Sequence, residues 1–201
     1  FKYDYNTLSV DAFHTQVDKV ELYVFDKEGN FLFKQSEEGS PLSTGEYMME
    51  VTVPLGEYKF MAWAGAHDSY DLPALTRGVS RLEELKVRLK ARYEVLNQPS
   101  YISDTELEPL WYGEIIDVNF TNTGYQTETI NLIKDTNKLR VAFQGQTPAW
   151  KINLDDYVFE IIASNGYLDY DNALLPDDQV SYRPYYKEQA NHFLLLCTLM
   201  A

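Results

Sequence analysis

The chain alternates. Val20, Leu22 and Val24 interleave with Glu21, Tyr23 and Phe25, and Tyr58, Phe60, Ala62 and Ala64 interleave with Lys59, Met61 and Trp63. Leu139, Val141 and Phe143 interleave with Arg140, Ala142 and Gln144, and Val158, Glu160 and Ile162 with Phe159 and Ile161. A period of two in short runs rich in β-branched and aromatic side chains predicts β-strands. Turn chemistry separates them: Lys27-Glu28-Gly29-Asn30, Pro54-Leu55-Gly56-Glu57 and Ser164-Asn165-Gly166, with Gly29 and Gly166 expected to supply positive φ. Only Val79 to Leu89 looks partly helical. Ser80 is placed to cap a short turn ahead of Glu83 and Glu84, and Leu85 to Leu89 alternates like a strand. Closely spaced strands with frequent turns and little helix predict an all-β protein built of β-sandwiches.

Two hairpins superpose when the sequence is shifted by 137 positions: Val17 falls on Leu154, Val20 on Tyr157, Leu22 on Phe159, Val24 on Ile161, Gly29 on Gly166, Phe31 on Leu168 and Phe33 on Tyr170. Any two β-hairpins share such a pattern. The alternative is two similar sandwiches in tandem, with Thr121-Asn122-Thr123-Gly124 as a polar linker, a first unit at residues 1–123 and a second at 124–201. In that case the second unit lacks roughly its last 56 residues. The run Phe193 to Cys197 is expected to be a strand that has lost a partner or needs one. The chain starts with Phe1, so a trimmed or mature form is expected, with any secretion signal upstream.

Charge narrows the partners. Among 201 residues, 31 are acidic and 17 basic, a net charge of −14 that argues against nucleic acid and against adsorption to an anionic membrane surface. The single cysteine, Cys197, allows no intrachain disulfide and no cysteine-based metal site. The longest apolar run is far too short to span a bilayer.

Reactive chemistry is not written in the sequence. No nucleophile-elbow, phosphate-loop or dinucleotide-binding motif occurs, and neither a catalytic set nor a cofactor is expected. His14, His67 and His192 each stand without a second ligand at metal spacing and read as surface histidines. Asp169-Tyr170-Asp171-Asn172 with Pro176-Asp177-Asp178 has oxygen ligands at alternate positions, but lacks the glycine and the final glutamate of an EF-hand loop; it reads as a solvated turn. Trp63, Trp111 with Tyr112, Trp150, and Tyr182-Arg183-Pro184-Tyr185-Tyr186 could stack sugars. Trp63 and Trp111 sit inside apolar strand patterns and read as core, whereas Tyr182 to Tyr186 reads as an edge or loop that could meet a partner.

A series of blocks, in order, resembles a known family. They are Phe1 to Asn6, Asp11-Ala12-Phe13, Val20 to Asp26, Pro54 to Gly65, Leu82 to Val87, Leu110 to Gly113, Leu132 to Val141, and Ser164 to Asn172. Together they look like the fimbrillin-associated anchor lipoproteins of Bacteroidales. The resemblance implies two tandem transthyretin-like or Ig-like β-sandwiches, no enzymatic activity and no cofactor. It implies a cell-surface protein at the base of a fimbrium, attaching it to the outer membrane and limiting its length. The expected partners are the shaft subunit (fimbrillin), accessory fimbrial proteins, and the outer membrane through a lipid. The lipid-bearing cysteine would lie upstream of Phe1, and Cys197 is not its counterpart. β-Strand complementation with the shaft subunit is the expected mode of binding. A surface glycan-binding lipoprotein is the other reading. The residues that touch a partner stay unassigned.

Overall fold

A computed structural model describes residues 1–95, 100–143, 153, 156–189 and 193–200. Among these, one short helix, α1 (Phe13–Gln16), and two 3₁₀ turns (Ser40–Ser43 and Leu82–Glu84) accompany fifteen strands. In chain order the strands are β1 (Lys19–Asp26), β2 (Phe31–Glu38), β3 (Gly56–Ala64), β4 (Tyr70–Asp71), β5 (Val87–Leu89), β6 (Arg92–Glu94), β7 (Ser100–Ser103) and β8 (Trp111–Phe120). They continue with β9 (Leu132–Lys134), β10 (Thr136–Phe143), β11 (Ile161–Ala163), β12 (Tyr167–Leu168), β13 (Val180–Tyr182), β14 (Tyr186–Gln189) and β15 (Phe193–Met200). The protein is all-β, as its alternation predicts.

The strands form four sheets, ordered β2-β1-β3-β8-β9, β12-β5-β4, β11-β13-β7-β6 and β10-β15-β14. The first is antiparallel throughout and is covered on both faces. One set of alternate positions, Val20, Leu22, Val24, Ala62, Ala64 and Trp111, packs beneath Tyr3, Phe13, Val17, Leu42 and Ile130. The other set, Tyr23, Phe25, Met61, Trp63 and Tyr112, packs against Leu85, Val87, Leu89, Leu110, Leu168 and Tyr182. Strands that are apolar on one face and aromatic on the other are therefore buried twice, and sandwich packing interdigitates both sets.

Gly29 takes the expected positive φ of 83° in the β1–β2 turn. At Gly65 the φ is 68°, and a Cβ there would lie 2.0 Å from the Pro109 carbonyl oxygen. The residues after β3 thus pass directly under the 109–111 segment, and only glycine allows the approach.

Several expectations change. The 157–170 region is not a copy of the β1–β2 hairpin, because β11 pairs with β13 whereas β12 pairs with β5. Gly166 is not among the glycines with positive φ, since no tight hairpin turn is made there; Leu154 lies outside the described residues. Ser80 does not cap the 3₁₀ turn: its Oγ accepts from the Thr76 N–H (3.1 Å), and Glu84 Oε1 accepts from the Arg81 N–H (2.7 Å) instead. Of Leu85 to Leu89 only the last three residues are strand. Val158 to Glu160 are outside any strand. Phe193 to Cys197 lies in β15 as expected, yet both its edges are paired, with β10 and with β14.

Pairing also crosses the polar bend at 121–124. β9 completes the first sheet beside β8, β12 pairs with β5, and β13 runs parallel to β7.

Candidate functional site

β10 and β11 are each the end strand of their sheet among the described residues. Both line one apolar groove of about 240 Å³. β10 contributes Leu139 and Val141, β11 contributes Ile161, and Val158 to Glu160 form a flank. Tyr182, Leu195 and Cys197 are buried and also line the groove. The apolar character follows from the alternation: Leu139 and Val141 are on the same face of β10, as Leu195 and Cys197 are of β15, and the two pairs are cross-strand neighbours. Leu139 is 41% exposed and Val158 80% exposed, so part of the apolar surface meets solvent. Arg183 and Glu160 form a polar margin, 3.9 Å apart.

A second, open cleft of about 870 Å³ runs along β1 and the 66–74 segment. Its polar groups bind one another. Tyr23 Oη donates to Glu21 Oε2 (2.9 Å), and Lys34 Nζ donates to Glu21 Oε1 (2.8 Å). His67 Nε2 lies 2.9 Å from Asp18 Oδ1. Tyr70 Oη donates to the Glu108 carbonyl (2.6 Å), and the Ser69 hydroxyl and N–H both donate to the Glu108 carboxylate. Burial, reinforced by the neighbouring carboxylates, pushes both phenols far above their ordinary pKa. Burial opposes the charge on Glu108, but the bonds from Ser69 outweigh it and hold the carboxyl below its usual range. These contacts lace β1 and β2 together and tie the 66–74 segment to residue 108.

The aromatic surface weighed from the sequence is dispersed. Trp63 and Trp111 are fully buried, as their strand patterns predict. Tyr182 is buried as well, which corrects its reading as an edge or loop residue: it lies in β13, and its Oη donates to Asn165 Oδ1 at 2.7 Å. Tyr186 remains exposed on β14. Trp150 and His192 lie outside the described residues. The acidic turn is stitched to its surroundings, Asp169 to Lys86 (3.7 Å) and Asp177 to Arg88 (3.3 Å), while Asp171 Oδ1 accepts from the Ala173 N–H. Among the described residues no three histidine, cysteine or carboxylate side chains converge as a metal ion would require.

An all-β chain with a covered central sheet and an apolar groove between end strands defines a β-sandwich protein. Its family is specific: a model of the fimbrillin-A associated anchor proteins Mfa1 and Mfa2 matches residues 1–194, and the chain belongs to that family. A crystal structure from Bacteroides thetaiotaomicron VPI-5482, described as a candidate polysaccharide-binding protein, is 57% identical with a TM-score of 0.90, over 100% of this chain and 69% of that one. A candidate adhesin from Bacteroides ovatus is 27% identical with a TM-score of 0.85, over 100% of this chain and 66% of that one. The fimbrial anchor protein Mfa2 from Porphyromonas gingivalis shares the fold, with a TM-score of 0.68 at 19% identity, over 94% of this chain and 67% of its own. The chain therefore spans about two thirds of the length of these structures. No curated protein matches. No described helix is long and apolar enough to cross a membrane.

Proposed function

We propose that this protein is a non-enzymatic fimbrial anchor that holds the base of a fimbrium at the cell surface and accepts a β-strand from the shaft subunit in the groove between β10 and β11. Family membership supports the anchoring role. One observation carries the mechanism: among the described residues, two end strands line a single apolar groove, so an incoming strand can gain main-chain hydrogen bonds and apolar cover together. Each 100 Å² of apolar surface covered contributes about 2.5 kcal/mol before the cost of ordering the strand. Such a seat fixes the first shaft subunit and thereby limits fimbrial length. In this proposal residues 1–123 form one sandwich unit and residues 124–201 a second, interlocked with the first. A lipid on a cysteine upstream of Phe1 supplies the tether to the outer membrane, and accessory fimbrial proteins join the assembly.

The test is binding of the full chain to a fimbrillin shaft subunit. Leu139→Asp with Val158→Asp places charge in the groove at solvent-exposed positions, so folding is retained, as checked by circular dichroism. Loss of binding by this variant is expected, and undiminished binding overturns the placement. A longer relative whose own chain fills the equivalent groove also overturns it.

Glycan binding is the second reading. The description of the 57%-identical structure favours it, as does the ring pair Tyr93–Tyr101, 5.1 Å between centroids with Tyr93 exposed. Glycan-array binding that is lost in Tyr93→Ala would support it, and an array without signal would remove it.

A further inference from the structure

Asp135 stands between β9 and β10, where the chain passes from the five-stranded sheet to the β10-β15-β14 sheet. It is buried. Its N–H donates to the Leu110 carbonyl (2.8 Å), and Thr136 Oγ1 accepts from the Leu110 N–H (3.2 Å), so residues 110 and 135–136 are laced together. Asp135 Oδ1 accepts from Asn172 Nδ2 at 2.9 Å. Asn172 is held for this contact in a left-handed conformation (φ 67°), its N–H donating to the Asp169 carbonyl. Two buried acceptors are left without a donor, Asp135 Oδ2 and Asn172 Oδ1. Each stranded acceptor destabilises the fold, because it has given up water without gaining a donor.

Both orphans belong to the same two side chains, already joined by one hydrogen bond. A carboxylic acid and a primary amide can close an eight-membered ring of two hydrogen bonds, in which each group donates once and accepts once. One added proton would satisfy both orphans. We propose that Asp135 is carried as the neutral acid, its Oδ2–H donating to Asn172 Oδ1, and that this proton-dependent ring fastens the 169–174 turn to the junction between the two sheets.

The surroundings agree. Burial pushes the Asp135 carboxyl up to about 7, offset in part by the Asn172 hydrogen bond and by the nearby Tyr112 main chain. No cation contributes to that balance. The neighbouring Lys134 on β9 lies over the Trp111 ring at 5.1 Å, and Lys138 on β10 pairs with Glu106. Tyr112 from β8 and Tyr70 from β4 lie near Asp135, and burial keeps both as neutral phenols. From the turn itself, Asp169 is paired with Lys86 and Asp171 accepts from the Ala173 N–H.

The folded chain thus retains a proton that the unfolded chain releases at an ordinary carboxylate pKa of about 4. The stabilisation is fully present below about pH 4 and is lost as pH rises through about 7. Asp135→Asn supplies the same second donor at every pH, because an amide pair closes the same ring. In thermal melts between pH 4 and pH 8.5, the melting temperature of the parent is expected to fall relative to that of Asp135→Asn from about pH 4 upward and to level off above about pH 7. The ¹³C resonance of the Asp135 carboxyl in the unaltered protein is expected to titrate with a midpoint near pH 7, and it reads the proton even if the variant fails to fold. A carboxyl that titrates in the ordinary range, or a pH-independent difference between the two proteins, overturns the proposal.

Discussion

Gly65 and Gly78 share a φ of 68° and differ in everything around them. At Gly78 an added Cβ meets nothing within 4 Å; at Gly65 it meets the Pro109 carbonyl oxygen at 2.0 Å and Trp111 Cζ3 at 2.8 Å. Gly78→Ala therefore introduces the left-handed strain alone, about 1–2 kcal/mol. Gly65→Ala introduces the same strain and also displaces a backbone carbonyl and a fully buried indole, adding about 1–3 kcal/mol of overpacking. The difference between the two isolates the close approach of the residues after β3 to the 109–111 segment. Urea unfolding followed by tryptophan fluorescence measures it. With a slope of about 2 kcal/mol per molar, Gly78→Ala is expected to lower the midpoint by roughly 0.5–1 M and Gly65→Ala by roughly 1–2.5 M. Equal midpoint losses would show that the 65–109 crossing is not tightly packed and would refute the reasoning.

Three more outcomes follow from the same contacts. Tyr23→Phe removes a donor from buried Glu21 and should destabilise the chain by about 1–3 kcal/mol in chemical denaturation; no loss would mean that Lys34 alone satisfies the carboxylate. Gly113→Ala brings a methyl to 2.8 Å from Ala62 Cβ and 2.9 Å from Ile130 Cγ2, and should cost about 1–3 kcal/mol by the same assay. Cys197 is buried and its thiol is pushed up by burial, so a colourimetric disulfide reagent should react slowly with the folded chain and rapidly in urea; rapid reaction at neutral pH without urea would contradict its placement.

The strands were legible because alternation is local. Val20 to Phe25, Tyr58 to Ala64 and Leu139 to Phe143 all lie in strands where the period of two put them. Burial of both faces of β1 was less visible, since Glu21 breaks the apolar character of one face and its partners come from β2 and from its own strand. Tyr182 was misread because Arg183 and Pro184 follow it, and Pro184 marks the chain leaving β13 rather than the position of Tyr182 itself. The groove was only half legible. Leu139, Val141 and the Phe193 run stood out as strands, but their union with Ile161 and Tyr182 depends on pairings that no spacing reveals. Asp135 falls inside the Leu132 to Val141 block that carries the family resemblance, but among its polar neighbours Lys134, Thr136 and Asn137 nothing in the sequence marks it as buried; its burial comes from the meeting of two sheets. His67 finds its partner, Asp18, 49 positions away, beyond any local motif.

Strand addition at the groove is tested most directly by hydrogen–deuterium exchange on the full chain, alone and with the shaft subunit. New protection is expected at residues 136–143 and 161–163, the two end strands that line the groove, with little change along β1 and β3, which already have neighbours on both sides. Protection confined to other strands, or binding with no new protection at β10 and β11, would contradict it.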